Sequence, residues 1–509
     1  MINDEESCYR AVKSKDRRFD GWFFVGVTST GIFCRPSCPA TTPRRANVRF
    51  YPTAAAAQGA GFRACRRCRP DTAPGSPEWN VRGDLASRAM RLIDDGLLDR
   101  EGVAGVARRM AVSERHLHRV LVQELGAPPL ALARSRRAQT ARILIETTAL
   151  PFTEIAFAAG FSSIRQFNDT VREFFGASPT VLRADRTTSI KRSRSATGGV
   201  PVVLEPAGTA PGPTPVSLRL ATRSPFAGSE VVGFLALRAI PGVETVDPDG
   251  TYHRVLRLPS GPAVVALRGA PDHVEARLVL SDLRDLGPAV ARCRRLLDLD
   301  ADPEAVDDAL SADPVLRPLV AATPGRRSPG AADGTELLVR AVIGQQVSVA
   351  GARTVAGRVA AALGEPLPSS LRATAGVPES LTLAFPDATA IAAADPTTFS
   401  MPRARGLALT TACALVADGC VALDPGSDRE DVERRLLAVK GIGPWTTSYI
   451  AMRALSDPDV FLPTDLGVLR GLANLGGPAD PKGAALLAEP WRPWRSYALH
   501  HLWGAAGPG

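Results

Sequence analysis

Apolar residues recur at helical spacing along much of the chain, and at strand-like spacing in a few short stretches. The helical pattern covers residues 80–185 and 301–509 and predicts helices joined by short connectors. Between these regions, VVGFLALRAI and DLGPAVARCRRLLDL predict helices, whereas TYHRVLRLP and GPAVVALRG predict a pair of strands. Residues 186–215 are rich in Pro, Gly, Ser and Thr without periodicity, which predicts a flexible linker.

The fold class that follows is multidomain and mainly α, because 509 residues exceed what one hydrophobic core supports. A small, turn-rich α/β domain with clustered cysteines comes first, then a helical domain, the linker, a mixed α/β domain and an all-α domain. Their predicted bounds are 1–78, 80–185, 186–215, 216–300 and 301–509.

Charge is unevenly distributed between the two parts of the chain. Residues 1–200 contain 32 Lys and Arg against 19 Asp and Glu, whereas residues 201–509 contain 29 against 33. The basic part fits a polyanion such as nucleic acid, while DNA contacts in the second part must be local. No stretch approaches the roughly 20 apolar residues of a membrane span, and the polar start MINDEESCYR is no secretory signal. We therefore expect a cytoplasmic protein with no membrane partner.

Four of the eight cysteines form two close pairs, Cys34 with Cys38 and Cys65 with Cys68. Without a secretion signal this clustering predicts a metal site, and four thiolates match one tetrahedral Zn²⁺ per chain. We expect no organic cofactor. The zinc either holds a small domain together or keeps an electron-rich sulfur available for reaction. Three cysteines that stand singly are expected to be small core side chains: Cys293, Cys413 and Cys420.

The segments FDGWFFVGVTSTGIFCRPSCPATTPRRANVRFY and GFRACRRCRPD resemble the N-terminal domain of the Ada family of methylation-response proteins, over nearly all of residues 8–72. The resemblance implies that Cys34 accepts a methyl group from a DNA methylphosphotriester, stoichiometrically and irreversibly, with the other three cysteines as co-ligands. The thioether formed would be neutral, so the charge of the site and its repulsion of DNA phosphates would both decrease.

Two segments between residues 102 and 179 have the pattern of helix, tight turn and second helix. In GVAGVARRMAVSERHLHRVLVQELG, Ser113 is the expected N-cap of the second helix. In FTEIAFAAGFSSIRQFNDTVREFFGASP, Gly160 supplies the turn, and Ser163 with Gln166 forms a capping box. This geometry can place a recognition helix in the major groove, although a helical bundle without a ligand has the same pattern.

The paired units resemble the DNA-binding domain of the AraC family over about residues 84–184, with a connecting helix near 129–147. By this resemblance, the two recognition helices enter successive major grooves of a promoter site. The exposed candidates for DNA contact are Glu114, Arg115, His118 and Arg119 in the first helix and Ser162, Arg165, Gln166 and Asn168 in the second.

The segment LLAVKGIGPWTTSYIAMRAL predicts a helix, a Gly-Ile-Gly hairpin at residues 441–443, and a helix with Pro444 in its first turn. Backbone N–H groups around Gly441 and Gly443 can bind a DNA phosphate without net positive charge. Asp465 follows in VFLPTDLGVLR, where an aspartate after Pro-Thr also fits a simple helix cap.

Hairpin, helix and Pro-x-Asp together resemble the helix-hairpin-helix DNA glycosylase superfamily. VRAVIGQQVSVAGARTV and WRPWRSYALHHLW narrow the resemblance to the AlkA type, the 3-methyladenine glycosylases II, over about residues 215–509. It implies that Asp465 stabilises the oxocarbenium-like sugar while a flipped, cationic base stacks on aromatic side chains. These aromatic side chains are Trp445, Tyr449 and Trp503.

The resemblance also assigns DNA contacts, with two departures from the family pattern. Trp445 stands where bifunctional lyases have their Schiff-base lysine, which predicts a monofunctional enzyme. Gln346 stands where a leucine commonly wedges into the base stack, and glutamine can fill the same gap. The hairpin contacts are Lys440, Gly441, Ile442 and Gly443.

The predicted function is alkylated-base excision together with methylphosphotriester sensing and transcription activation. Double-stranded DNA is the expected partner, and an activator role further implies RNA polymerase. The alternatives are a regulator with a catalytically silent glycosylase-like domain, and a glycosylase whose zinc is only a scaffold. The chain has no Pro-Cys-His-Arg sequence, so we expect no O6-alkylguanine methyltransferase activity.

Overall fold

The computed structural model describes most of the chain, with gaps that include the predicted linker. The described residues are 5–15, 19–20, 23–65, 67–68, 70, 84–148, 150–184, 213–271, 273–424 and 426–507. The linker predicted at 186–215 therefore lies outside them except for its last three residues. The chain forms two compact units, the first made of Met1–Ala221, Pro259–Gly261 and Arg277–Ala289, the second of Thr222–Leu258, Pro262–Ala276 and Val290–Gly509.

The N-terminal module has a small sheet with two helices. Its elements are α1 (Glu5–Ser14), β1 (Phe24–Val27), β2 (Ile32–Cys34), β3 (Val48–Tyr51), α2 (Ala54–Gly59) and β4 (Arg63–Ala64). The strand order is β3-β1-β2-β4. β1 pairs antiparallel with β2 and β3, whereas β4 runs parallel to β2, with Phe33 opposite Ala64. This parallel pair brings two cysteine-bearing segments side by side.

The following helices form the predicted double helix-turn-helix. They are α3 (Asp84–Asp94), α4 (Leu97–Arg109), α5 (Glu114–Leu125), α6 (Pro129–Thr147), α7 (Phe152–Ala158), α8 (Ile164–Phe175) and α9 (179–184). As predicted, Ser113 caps α5, since its Oγ accepts the N–H of His116 at 3.2 Å, and Gly160 turns the chain with φ +82°. Leu117 and Leu121 bury one face of α5, whereas His118 and Arg119 between them face outward.

The mixed α/β segment has more strands than its sequence pattern suggested. Its elements are β5 (Thr214–Ala221), α10 (Gly228–Ala236), β6 (Glu244–Val246), β7 (Tyr252–Leu258), β8 (Gly261–Gly269), β9 (His273–Leu280) and α11 (Leu286–Leu296), with strand order β5-β9-β8-β7-β6. The prediction of β7, β8 and the two helices is confirmed. β5, β6 and β9 were missed, and β5 begins at Thr214, inside the predicted linker. In β9, Val274, Ala276 and Leu278 alternate with less buried residues and give the period of a strand.

The C-terminal region is mainly helical, as predicted. Its helices are α12 (Pro303–Ser311), α13 (Arg317–Ala322), α14 (Gly334–Ile343), α15 (Val349–Leu363), α16 (Ser369–Arg372), α17 (Ala388–Ala392), α18 (Arg403–Ala417), α19 (Arg429–Leu437), α20 (Pro444–Arg453), α21 (Leu466–Asn474), α22 (Pro481–Leu487) and α23 (Arg495–Ala505). Two short strands, β10 (Glu365–Pro366) and β11 (Leu383–Ala384), pair antiparallel. Among the described residues, no helix combines the length and apolar character that a membrane crossing requires.

The prediction for the single cysteines holds at two positions and fails at the third. Cys293 and Cys413 are buried in the core, and burial raises the pKa of each thiol to about 12. Cys420 is exposed, so its assignment to the core was wrong. It lies in the turn after α18, just beyond Gly419 with φ +71°, where the helix pattern no longer decides which side chains face inward.

Candidate functional site

Four cysteine sulfurs meet in the N-terminal module. The ligand atoms of Cys34, Cys38, Cys65 and Cys68 all lie within 4.8 Å of one another. Zn–S bonds of about 2.3 Å in a tetrahedron place sulfurs roughly 3.8 Å apart, so these residues fit one Zn²⁺. The predicted ligand set is confirmed.

Strand pairing creates this cluster. Cys34 ends β2 and Cys65 directly follows β4, and the N–H of Cys65 donates to the carbonyl of Phe33 at 2.9 Å. Cys38 is brought back by a turn in which its N–H donates to the carbonyl of Arg35 at 3.1 Å. Each pair of cysteines is thus local, and the parallel ladder joins the two pairs.

A buried aspartate, which the sequence analysis missed, fixes the loop between the first two cysteines. Asp20 is 5% exposed, and its carboxylate accepts the N–H of Ser37 at 3.0 Å and the Ser37 hydroxyl at 2.6 Å. Arg35 forms an ion pair with the same carboxylate at 3.4 Å. The FDGW sequence motif contained this residue, but no spacing rule linked it to the metal site.

Exposure and electrostatics distinguish the four thiols. Cys34 and Cys38 are partly exposed, whereas Cys65 and Cys68 are buried. Hydrogen bonding to Cys38 raises the pKa of the Cys34 thiol, and hydrogen bonding from Cys34 lowers the pKa of the Cys65 thiol. A cation shared by all four sulfurs favours the thiolate form of each. Cys34 thus combines metal-ligand character with access from outside.

The predicted recognition helices present their candidate residues to solvent. Arg115, Arg119, Arg165 and Gln166 are all exposed. Ser163 caps α8 by accepting the N–H of Gln166 at 3.2 Å, but the reciprocal half of the capping box differs from the prediction. The Gln166 amide oxygen accepts the N–H and the hydroxyl of Ser162, at 3.3 and 3.0 Å, because that residue offers two donors in reach.

In the second unit, Asp465 receives hydrogen bonds from two tryptophans. Its Oδ1 accepts the indole N–H of Trp503 at 2.9 Å, and its Oδ2 accepts that of Trp445 at 3.1 Å. Oδ1 also accepts the N–H of Val468 at 3.0 Å, which caps α21. The helix-cap interpretation is therefore correct, and the same carboxylate lies among the predicted aromatic residues.

The predicted aromatic residues form a continuous cluster. Trp445 and Tyr449 stack with ring centroids 5.2 Å apart and an interplanar angle of 9°, and Tyr449 lies 6.4 Å from Trp503. Sequence analysis missed Phe234 of α10, which stacks on Trp503 at 6.0 Å, and His500, which packs edge-on against Trp503 at 4.9 Å. The helical pattern around Phe234 gave no reason to separate it from ordinary core residues.

Arginines surround one end of the cluster. Arg453 donates to the Tyr449 hydroxyl at 2.9 Å, and Arg238 lies 3.8 Å over the Phe234 ring. Burial raises the pKa of Tyr449, but the positive charges of Arg453, Arg238 and Arg340 outweigh this effect and hold the pKa below its ordinary value. Neither Arg238 nor Arg453 had a sequence signal beyond a charged residue in a helical pattern.

The Gly-Ile-Gly hairpin has two N–H groups directed to no protein acceptor among the described residues, those of Gly441 and Gly443. Gly441 has φ +98°, which favours glycine. Ile442 is buried and its N–H donates to the carbonyl of Val439 at 3.0 Å, so it supports the hairpin from inside. Lys440 is exposed, and Pro444 begins α20 as predicted.

The predicted wedge residue lies in the loop of residues 344–348, here named the wedge loop. Gln346 is exposed with φ +58°, a left-handed conformation uncommon outside glycine. The adjacent Gln345 is half-buried and donates from Nε2 to the carbonyl of Gly441 at 3.2 Å and to Oγ1 of Thr446 at 2.8 Å. The structure thus joins the wedge loop to the hairpin, a link that sequence spacing did not show.

Three family models match successive parts of the chain. They are the metal binding domain of Ada over residues 7–71, a helix-turn-helix domain over residues 106–185, and the AlkA N-terminal domain over residues 217–333. Each match falls on a region where the same kind of domain was expected from the residues.

Relatives match the whole chain and its separate parts. Over 503 residues the chain is 53% identical to the probable bifunctional transcriptional activator/DNA repair enzyme AlkA of Mycobacterium tuberculosis, covering 99% of this chain and 97% of the relative. It is 36% identical over 290 residues to DNA-3-methyladenine glycosylase 2 of Escherichia coli, covering 56% of this chain and 95% of that one. It is also 36% identical over 138 residues to the bifunctional transcriptional activator/DNA repair enzyme Ada of Escherichia coli, covering 27% of this chain and 38% of that one. The chain therefore belongs to the family of bifunctional transcriptional activator/DNA repair enzymes of the AlkA type, in which an Ada-type zinc domain and a helix-turn-helix domain are fused to an AlkA-type glycosylase region.

Proposed function

We propose that this protein hydrolyses the N-glycosidic bond of alkylated bases such as 3-methyladenine in double-stranded DNA and leaves an abasic site. The observation that carries the proposal is the Asp465 carboxylate, held by the indole N–H groups of Trp445 and Trp503 within an aromatic cluster. A carboxylate fixed beside stacked aromatic faces suits a reaction that builds positive charge on a sugar next to a bound base.

The chemistry of the leaving base fits this arrangement. An alkylated purine is cationic, so electron-rich rings such as Trp445 and Tyr449 hold it once it leaves the base stack. As the bond from base to sugar breaks, its electron pair goes to the base, which becomes neutral and needs little acid catalysis. Asp465 stabilises the resulting oxocarbenium-like sugar, to which water adds. Since Trp445 supplies no amine, no Schiff base forms and the DNA strand stays intact.

Release of free base from methylated duplex DNA tests this proposal. We expect the whole chain to release 3-methyladenine and to leave strands that break only after alkali treatment. Borohydride should trap no covalent complex between the protein and DNA. A folded protein that binds DNA but releases no base would favour the alternative function, a regulator with a silent glycosylase region.

For the N-terminal module, we propose that Cys34 accepts methyl groups from DNA methylphosphotriesters. Its sulfur attacks the methyl carbon, the C–O bond breaks, and the electron pair stays on the phosphate oxygen as a restored phosphodiester. Bound zinc keeps the sulfurs deprotonated and therefore nucleophilic. Partial exposure of Cys34 supports this role, because buried Cys65 and Cys68 are less accessible to DNA.

We further propose that the helix-turn-helix pair activates transcription from specific promoter sites, with α5 and α8 in successive major grooves and RNA polymerase as a partner. The exposed Arg115, Arg119, Arg165 and Gln166 support this role. With DNA as substrate and target, we place the protein in the cytoplasm. Fluorescence anisotropy with promoter DNA should show tighter binding after Cys34 methylation, and Arg165→Ala should weaken binding in both states.

A further inference from the structure

The wedge loop is fixed to the hairpin through one side chain that the glycosylase proposal has not used. Gln346 itself extends into solvent with a left-handed backbone, which non-glycine residues keep only where neighbouring structure holds them. Gln345 supplies such contacts, since its Nε2 donates to Gly441 at 3.2 Å and to Thr446 at 2.8 Å. A single amide group therefore bridges the wedge loop, the hairpin and the helix after it.

Both acceptors belong to the segment that forms the hairpin and the first turn of α20. Thr446 is 2% exposed, and its N–H donates to the carbonyl of Gly443 at 3.0 Å in the first turn of α20. Its neighbour Trp445 donates to Asp465. Gly441 carries one of the two hairpin N–H groups proposed to bind a phosphate. Gln345 thus donates to the same segment that hydrogen-bonds the Asp465 carboxylate and carries the N–H group of Gly441.

We propose that Gln345 is a positioning residue for base extrusion, which holds Gln346 in register with the hairpin. Insertion of Gln346 into the stack and capture of the flanking phosphate at Gly441 then occur as one movement. This inference rests on the proposed glycosylase function and concerns the step before bond cleavage. Gln345 acts through its hydrogen bonds to Gly441 and Thr446.

The chemistry of the bridge distinguishes positioning from simple space filling. An amide NH₂ offers two donor hydrogens, which match the two oxygen acceptors of Gly441 and Thr446. Gln345→Glu keeps the shape but puts a carboxylate oxygen opposite two other oxygens. We therefore expect Gln345→Glu to impair the step more than Gln345→Ala, whereas a space-filling role would make Glu the milder change.

Binding of the whole chain to a duplex with an abasic-site analogue beside 2-aminopurine tests the proposal without requiring catalysis. The emission of 2-aminopurine increases when the wedge unstacks it. We expect Gln345→Ala to lower both the emission change at saturation and the affinity, the latter about tenfold. Thr446→Val should reproduce the loss, Thr446→Ser should not, and both should keep the melting temperature of the wild type.

A matched control is Thr354→Val in α15, because the Thr354 hydroxyl donates at 3.0 Å to Ala350 within its own helix. It should leave emission and affinity unchanged. Wild-type emission in both Gln345→Ala and Thr446→Val would overturn the proposal, as would an equal loss of affinity for undamaged duplex. If Gln345→Ala fails to fold, the result for Thr446→Val decides whether the bridge positions the wedge loop. If the wild type changes the 2-aminopurine emission but releases no base, the glycosylase proposal is rejected and the positioning role of Gln345 is not.

Discussion

Trp503 donates its indole N–H to Oδ1 of Asp465 at 2.9 Å, and this same oxygen accepts the backbone N–H of Val468 at 3.0 Å. One carboxylate oxygen therefore both caps α21 and accepts a hydrogen bond from the aromatic cluster. Because a helix cap fixes the orientation of its side chain, the carboxylate is already in place before DNA binds. The helix-cap and catalytic interpretations of Asp465 are compatible for this reason.

Trp503→Phe tests the contribution of that hydrogen bond. The substitution keeps a ring beside Phe234 and Tyr449 but removes the donor to Asp465. A hydrogen bond to a charged group contributes about 1.5–3 kcal/mol, so kcat/KM for base release should fall roughly ten- to a hundredfold. The matched control is Trp491→Phe, because the buried Trp491 indole N–H has no acceptor among the described residues. Unchanged kcat/KM in Trp503→Phe would contradict the assigned role.

Acid should destabilise the second unit through its buried histidines. Burial, with the charge of Arg326, lowers the pKa of His501 to about 3, whereas an unfolded histidine has a pKa of about 6.5. The unfolded chain therefore takes up the proton first. The contribution of His501 to stability is fully present above pH 6.5 and declines by about 1.4 kcal/mol per pH unit between pH 6.5 and 3.

Thermal melting between pH 7.5 and 5 measures this effect. The melting temperature of the wild type should fall more steeply than that of His501→Leu, in which the proton-binding group is removed. Leucine suits the site because the His501 side chain is buried and its Nε2 has no partner among the described residues. Parallel melting curves for the two proteins across this range would show that His501 is not the responsible group.

The zinc ligands and the aromatic residues could be predicted from the sequence because their local motifs are specific. Cys34 and Cys38 lie close in the chain, and so do Trp445 and Tyr449. Phe234 could not be predicted in the same way, because it contacts Trp503 only after two segments far apart in sequence pack together. Contacts of this kind depend on tertiary packing, for which one sequence has no periodic signal.

The same reason explains the missed polar contacts. Asp20 holds the Arg35–Ser37 turn, and Gln345 reaches residues about 100 positions further along the chain. The prediction for Cys420 was wrong in the opposite sense. A single cysteine is expected in the core, but Cys420 follows the end of α18 and is exposed. Local elements such as α5 at Glu114–Leu125, with its predicted cap Ser113, were predicted best because caps and periodicity are local properties.

Arg340→Met should destabilise the second unit. Arg340 forms ion pairs with Glu244 and Glu336 and donates to the carbonyl of Arg238 at 2.7 Å. Burial raises the pKa of Glu244, but Arg340 and Arg254 outweigh this and lower it to about 2. Removal of Arg340 leaves buried negative charge poorly compensated, which costs about 3–5 kcal/mol of unfolding free energy.

Urea unfolding followed by tryptophan fluorescence checks this value. The control is Arg372→Met, because Arg372 is exposed on α16 and should change the unfolding free energy by less than about 0.5 kcal/mol. Equal midpoints for Arg340→Met and the control would contradict the importance of the buried ion pairs.

Cys34→Ser should abolish methyl acceptance from DNA methylphosphotriesters. Digestion and mass spectrometry of the wild type should find one added methyl group on the peptide that contains Cys34. Cys420→Ser is the matched control, because Cys420 is an exposed thiol outside the metal cluster and its loss should change nothing. Methylation of Cys420, or continued methylation of the Cys34→Ser protein, would reject Cys34 as the acceptor.

The most direct test of the glycosylase assignment compares base release by the wild type, Asp465→Asn and Asp480→Asn. Asparagine keeps an oxygen for the helix cap at either position, so all three proteins should fold and bind DNA alike. Asp480 caps α22 and serves as the control for loss of a capping charge. We predict that Asp465→Asn lowers kcat at least a hundredfold, whereas Asp480→Asn retains the wild-type rate. Release of methylated bases by Asp465→Asn at the wild-type rate would contradict the account.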